Sequence, residues 1–261
     1  MAFTGLIGLA FILAFFGLIL IFTITHRENS ETHLRPISAF QKLSRAIGLA
    51  VEAGSRLHIS IGRGKLSGPE SAAAFVGLSV LESIARSASS GDNPPIATSG
   101  DASLAILSRD TLRATYRDIG ISEQYQPTSG ELAGMTPFSY AVGTLATVEN
   151  EKTNAHILLG HFGSEVALIS DAAERNNDLT LAGTDNLPAQ AILFATAQEP
   201  LIGEELYASG AYTQAGPMHI ASLRAQDVIR WLLVVIIIAG AALKFLGLDQ
   251  LVTNLLGGLA P

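Results

Sequence analysis

The first 25 residues carry no charged side chain, and this feature limits most strongly how the chain can fold. The segment exceeds the roughly 20 residues that cross a bilayer as a helix. It lacks the basic start and the Ala-x-Ala site of a signal peptide. A second apolar segment, residues 231–248, has one charge, Lys244, near its end, from where a long side chain reaches the interface. We predict transmembrane helices at both ends; a buried core helix is the alternative for the second.

Basic residues around these two segments predict the orientation. Arg27 and Arg35 follow the first segment, Arg224 and Arg230 precede the second, and only Lys244 lies beyond it. Because basic residues concentrate on the cytoplasmic side of membranes, the long intervening loop is expected in the cytoplasm and both termini outside. The chain is therefore predicted to cross a membrane twice.

Charge is distributed unevenly along the loop. Residues 26–65 contain 7 Lys and Arg against 3 Asp and Glu, whereas residues 66–223 contain 6 against 18. A basic segment near the membrane suits an anionic bilayer surface. The acidic body argues against nucleic acid as a partner, since phosphates require a concentrated basic surface. The chain has no cysteine, which excludes disulfides, iron–sulfur clusters and thiolate zinc sites.

Strand-like and helix-like segments alternate four times between the apolar ends. Each unit pairs a short apolar or alternating run with a longer helical pattern, which favours parallel strands joined by crossover helices. The predicted fold class is α/β, a small parallel, Rossmann-like sheet flanked by an N-terminal and a C-terminal transmembrane helix. The predicted divisions are a transmembrane helix (1–25), a link with an amphipathic helix (26–56), an α/β domain (57–216), a helix continuing into the second span (217–248) and a tail (249–261).

Helix start and stop signals refine this organisation. An amphipathic helix is expected from Pro36 to Gly54, with proline at its first position. Ser67 and Glu70 have capping-box spacing, and Asp101 is a candidate N-cap. Residues 137–149 fit either a helix or a strand, and the pattern does not decide between them.

The glycine loop after the first predicted strand suggests a phosphate site but matches neither standard motif. Gly62, Gly64 and Gly68 are spaced one residue too far for the dinucleotide-binding fingerprint. Lys65 is followed by Leu66, whereas a Walker loop needs Ser or Thr there. A glycine turn before a capped helix is the favoured interpretation.

One edge of the predicted sheet nevertheless gathers polar residues, because loops after parallel strands meet there and often bind ligands. The candidate ligand-binding residues are Gly62, Arg63, Gly64, Lys65, Ser99, Asp101, His161, Thr184, Asp185 and Asn186. Residues of these types also cap helices, and that alternative remains open. The sequence has no Gly-x-Ser-x-Gly elbow and no histidine pair at zinc-helix spacing. We therefore predict no catalytic residue, no metal and no cofactor.

Four stretches of the chain carry a resemblance to known sequences: "SGDASLAILSRDTLRATYRDIG", "GHFGSEVALISDAAERNND", "LAGTDNLPAQAILFATAQEPLIGEELYASGAY" and "SLRAQDVIRWLL". They resemble a family of uncharacterised bacterial membrane proteins with two membrane helices, a domain of unknown function associated with Chloroflexota-type genomes. The resemblance implies a location in the bacterial inner membrane and transfers no catalytic residue.

These features predict a non-catalytic, membrane-anchored α/β module that serves as a scaffold or accessory subunit. Small residues in both apolar segments, such as Gly5, Gly8 and Gly240, favour close helix approach and therefore self-association or other membrane subunits. The alternative is a membrane-tethered sensor that binds a small anionic metabolite or nucleotide at the strand-end loops. An unrecognised enzyme is a third hypothesis.

Overall fold

The computed structural model describes residues 2–25 and 34–246, and side chains from residue 5 onward. The chain divides into two compact units. One consists of residues 1–32 and 217–261, and the other of residues 33–216.

The first unit contains two long apolar helices, α1 (Ala2–Thr25) and α9 (Pro217–Phe245), which contact each other. Both are long and apolar enough to cross a membrane. Residues 217–230 and the following apolar residues up to Phe245 form one helix. A Cβ atom added at Gly5, Gly8, Gly17 or Gly240 would meet nothing within 4 Å, so the contact between α1 and α9 does not depend on these glycines. Association between protomers through them stays a prediction.

The second unit is a six-stranded, fully parallel sheet with helices between the strands. The strands are β1 (Arg56–Gly62), β2 (Ile96–Ser99), β3 (Gly130–Leu132), β4 (Thr153–His161), β5 (Leu179–Thr184) and β6 (Glu199–Leu201). The helices are α2 (Ser38–Ala53), α3 (Ser71–Ser87), α4 (Ala102–Asp118), α5 (Pro137–Asn150), α6 (Val166–Arg175), α7 (Leu187–Thr196) and α8 (Glu205–Tyr212).

The strands lie in the order β3-β2-β1-β4-β5-β6, which is the order of the Rossmann fold. Helices α2, α3, α4 and α8 cover one face of the sheet, and α5, α6 and α7 cover the other. Side chains of β1 alternate between the faces: Leu57, Ile59 and Ile61 join the core under α2 and α3. The predicted parallel α/β sheet with crossover helices is confirmed.

Three details differ from the sequence predictions. The Ser67–Glu70 capping box is wrong: α3 begins at Ser71, because residues 65–71 form consecutive turns around Gly68 and Pro69. Helix α2 begins at Ser38, two residues after Pro36. The sheet also contains two three-residue strands, β3 and β6, that the four predicted units did not include.

The undecided segment 137–149 is helical and lies within α5. Thr136 caps this helix, since its hydroxyl accepts a hydrogen bond from Ser139 N while the Ser139 hydroxyl accepts one from Thr136 N. Pro137 occupies the first turn, where its missing N–H costs nothing.

The face of the sheet under α5 contains a buried pair of histidines. Register places His58 on β1 opposite His156 on β4, and their Nδ1 atoms are 3.0 Å apart. His58 Nε2 lies 2.8 Å from the Thr98 hydroxyl, and His156 Nε2 lies 3.1 Å from Asp178 Oδ2. Two neutral rings satisfy every contact if His156 donates to Asp178, His58 donates to His156 and Thr98 donates to His58.

The same cluster predicts acid sensitivity. Burial, followed by the neighbouring His156, lowers the pKa of His58 well below its ordinary value. The unfolded chain therefore binds an extra proton below about pH 6.5, so stability is complete above that pH and falls as pH decreases. One proton corresponds to about 1.4 kcal/mol of unfolding free energy per pH unit. We expect this slope between pH 6.5 and 5. Unfolding of the full chain, monitored by the near-ultraviolet circular dichroism of its tyrosines at each pH, measures it.

Substitution of His58 provides the control. His58→Gln removes the titrating group, so the slope of the unfolding free energy against pH should decrease by about one proton. His161→Gln, at a partly exposed histidine, should retain the contribution of His58. If the slope of the unfolding free energy against pH is unchanged in His58→Gln, groups other than His58 cause the acid sensitivity.

Candidate functional site

The strand order reverses direction between β1 and β4, and ligands of open α/β sheets bind beyond the carboxyl ends of the strands at such a point. Gly62 is the last residue of β1 and is followed by Arg63, Gly64 and Lys65, and His161 is the last residue of β4. We refer to the carboxyl ends of all six strands and the first turns of the helices that follow as the carboxyl edge.

Glycines at the reversal point allow the two central strands to approach each other. Gly62 has a φ of 76°, and a Cβ atom there would lie 2.3 Å from the carbonyl oxygen of His161. A Cβ atom at Gly160 would lie 1.9 Å from the carbonyl oxygen of Ile61. Arg63 N donates to His161 O at 2.8 Å, which joins the two loops. These glycines therefore accommodate neighbouring backbone, which accounts for their presence without a phosphate.

Arg63 is held by a carboxylate of the chain itself. Its Nε donates to Glu165 Oε1 at 2.8 Å, and only 2% of the Glu165 side chain is exposed. Glu165 Oε1 also accepts a hydrogen bond from Gly163 N at 2.9 Å. Burial alone raises the pKa of Glu165, but the hydrogen bonds from Arg63 and Gly163 outweigh it and hold that pKa below its usual value. Glu165 thus places a negative charge at the start of α6, where a bound anion would otherwise lie.

A second carboxylate occupies the start of α3. Lys65 N donates to a Glu70 oxygen at 3.4 Å, and a Cβ atom at Gly68 would lie 2.4 Å from the other Glu70 oxygen. Backbone hydrogen bonds, from Glu70's own N–H first and then from Lys65, lower the pKa of the Glu70 carboxyl. The side chain of Lys65 is exposed. At both helix starts near the reversal point, a carboxylate of the protein therefore compensates the positive partial charge of the helix N-terminus.

The remaining predicted residues lie at the same edge, and most of them have local structural partners. His161 Nδ1 lies 2.7 Å from Asp185 Oδ1. The Thr184 hydroxyl accepts hydrogen bonds from Phe162 N at 3.1 Å and from Asn186 N at 3.3 Å. Asn186 is the N-cap of α7, and its side chain makes no capping hydrogen bond.

Two predicted residues belong to the end of β2 and the start of α4. Asp101 caps α4 as predicted, accepting hydrogen bonds from Ser103 N and Leu104 N. The Ser99 hydroxyl is buried and donates to Glu131 O at 3.3 Å. The fold thus brings all ten predicted residues to one edge, where capping and ion pairing account for most of their polar groups.

Sequence reasoning missed an apolar ring at the carboxyl edge. Twelve large apolar side chains are exposed between residues 34 and 216, and nine of them follow the six strands, at a strand end, in the loop after the strand or within the first five residues of the next helix. These nine define the ring: Phe75, Ile106, Leu132, Met135, Phe138, Leu168, Leu187, Ile202 and Tyr207. Their recurrence after every strand was the signal available in the sequence.

Within the described residues, no group of three or more His, Asp or Glu side chains is arranged to hold a metal ion. The carboxyl edge therefore combines polar groups that are largely bonded to each other with exposed apolar side chains. This combination suits contact with an apolar surface better than capture of a small anion, because anion sites present unpaired donors.

Comparison with curated proteins and with solved structures found no match to this chain. The family model described as Domain of unknown function (DUF6754) matches residues 3–255, and it supports the resemblance to an uncharacterised family. The chain therefore belongs to the family described as Domain of unknown function (DUF6754).

Proposed function

We propose that this protein is a non-catalytic, membrane-anchored α/β module that acts as a scaffold or accessory subunit of a membrane assembly. The observation that carries the proposal is the apolar ring, with nine exposed large side chains around one edge of the sheet. Exposed apolar clusters of this kind mark protein interaction sites, since a monomeric soluble surface rarely retains them.

The proposal places α1 and α9 in the inner membrane of a bacterium and the α/β unit in the cytoplasm. Support comes from the two helices of membrane-spanning length and from the basic residues Arg27, Arg35, Arg224 and Arg230 on the side of the α/β unit. Protease added outside spheroplasts should leave residues 34–216 intact, and cleavage there would reverse the orientation.

Charge indicates which partner fits the ring. Residues 66–223 have 6 basic against 18 acidic side chains, so two copies of this body repel each other when they approach. A different subunit that presents an apolar surface bordered by Lys and Arg complements both the ring and its acidic surroundings. The proposed occupant of the ring is therefore such a subunit.

Native mass spectrometry of the full chain, extracted gently from its own membrane, tests the proposal. The double variant Phe138→Ser and Leu187→Ser removes ring residues at well-separated positions along the edge and should weaken the complex about tenfold or more. Phe194→Ser is the matched control, because Phe194 is 71% exposed, against 74% for Phe138, and lies at the far end of α7. The control should retain the mass of the complex.

Each outcome discriminates among the hypotheses. A wild-type mass of the chain plus another subunit, lost in the double variant only, supports the proposal. Several copies without another subunit would make the partner a second copy and overturn the charge argument. A lone 27.4 kDa chain would refute the scaffold function, and one carrying a few hundred extra daltons would favour a small ligand.

A further inference from the structure

A cleft of about 190 Å³ opens in the helix layer that includes α2, α3 and α8. It lies between α2, the last turns of α3 and the end of α8, and its apolar lining consists of Phe40, Ile47 and Ile84. A smaller cleft of about 110 Å³ adjoins it and shares four of its polar residues. We refer to the two together as the helix-layer cleft. No residue of the apolar ring lines it, so the cleft and the ring are separate surfaces.

Most hydroxyl groups of the helix-layer cleft can only accept hydrogen bonds from a ligand. The hydroxyls of Ser83, Ser87 and Thr213 each donate to a backbone carbonyl, at 2.9 Å for Ser87 and Thr213. The Tyr212 hydroxyl donates to a fourth carbonyl at 2.7 Å. A hydroxyl has one proton, so these four oxygens present lone pairs alone. A bound molecule must therefore supply hydrogen-bond donors, which a carboxylate or a fully ionised phosphate lacks.

The lining of the helix-layer cleft is electrically balanced. Within residues 34–246, no charged side chain lines the larger part, and the smaller part is lined by Glu82 and Arg86, which form an ion pair at 3.2 Å. Because a bound ion that lacks a counter-charge loses hydration without compensation, such a lining favours a neutral molecule. A sugar is neutral and rich in donors, and its C–H groups can pack on the apolar lining while its O–H groups donate.

Gln214 lines both parts of the cleft from a position that usually holds glycine. It follows Thr213, the C-cap of α8, and its φ of 59° is in the left-handed region. Its carboxamide and the Ser44 hydroxyl are exposed, with no hydrogen-bond partner among the described residues, so both can donate. The volume is below the about 300 Å³ of sites for drug-sized ligands, which suits a single ring. We propose that the helix-layer cleft binds a neutral monosaccharide, with Gln214 and Ser44 donating to its oxygens.

Ligand-observed NMR titration of the full chain tests the site, in a detergent without a sugar headgroup and with glucose, galactose, mannose and N-acetylglucosamine. At least one sugar should bind, and Gln214→Gly should weaken its binding about fivefold, the contribution of one hydrogen bond. This variant should melt within about 3 °C of the wild type, because glycine adopts a positive φ freely. Asn177→Gly is the matched control: Asn177 has a φ of 57° after the C-cap of α6, lies outside the cleft, and its variant should bind as the wild type does.

A second variant keeps the test independent of backbone strain. Ser44→Ala, at an exposed position of α2, removes the other donor and should also weaken sugar binding. Absence of binding for all four sugars would overturn the proposal. Binding that is unchanged in both Gln214→Gly and Ser44→Ala would place the sugar elsewhere and overturn the site. Glucose 6-phosphate that binds more tightly than glucose, and loses this advantage in Arg86→Ala, would make the cleft an anion site and overturn the ligand class.

Discussion

Gly160→Ala is expected to unfold the α/β unit under conditions in which the wild type is stable. A single added methyl carbon would lie 1.9 Å from the carbonyl oxygen of Ile61 and 2.5 Å from its carbonyl carbon. Neither atom belongs to a flexible side chain, so relief requires β4 to separate from β1 at the centre of the sheet. We expect a loss of about 4 kcal/mol or more in unfolding free energy, within the range of severe core defects.

Thermal unfolding of the full chain, followed by tyrosine near-ultraviolet circular dichroism, measures this loss. All five tyrosines lie in the α/β unit, and the single tryptophan, Trp231, lies in α9, so the tyrosine signal reports on the α/β unit. Gly48→Ala is the control: a Cβ atom at this helical glycine meets nothing within 4 Å, so it should stabilise by about 0.5–1 kcal/mol. A melting temperature of Gly160→Ala within about 3 °C of wild type would contradict the close approach.

Local signals in the sequence account for the parts of the fold that were predicted correctly. Asp101 caps α4 through its own neighbours, and the apolar pattern of residues 231–248 requires no tertiary partner to be recognised. The strands β3 and β6 have three residues each, too few for a pattern of their own, and they exist because longer strands pair with them. Their existence depends on strand order, which local patterns do not encode.

Contacts between distant parts of the chain, in the core and at the candidate site, were beyond sequence reasoning for the same reason. His58 meets His156 only because β1 and β4 are neighbours in that register. The ion pair of Arg63 and Glu165 joins residues 102 positions apart. Ser67 and Glu70 illustrate the opposite case, in which a local motif was present but the turn at Gly68 and Pro69 placed the helix start beyond it.

Arg63→Met is expected to destabilise the α/β unit by about 2–3 kcal/mol in the absence of any ligand. The substitution leaves the Glu165 carboxylate, of which 2% is exposed, with only the backbone N–H groups of Gly163 and Glu165 as hydrogen-bond donors and no cation beside it. An unpaired buried charge typically costs about 3–5 kcal/mol, and the 21% exposure of Arg63 reduces this value. Lys65→Met is the matched control, because Lys65 lies in the same loop and is exposed; its effect should stay within about 0.5 kcal/mol.

A second substitution identifies the origin of the loss. In the double variant Arg63→Met and Glu165→Gln no buried charge remains, and a glutamine oxygen can still accept from Gly163 N, so about half of the lost stability or more should return. The anionic-ligand alternative predicts the opposite, because an arginine held for a ligand contributes to stability only when that ligand is bound. Unfolding of wild type and Arg63→Met with and without pyrophosphate separates the two. One result would contradict this prediction: Arg63→Met melts at the wild-type temperature without ligand, and pyrophosphate stabilises the wild type but not the variant. In that case the carboxyl edge is an anion site, and the apolar ring is not the functional surface.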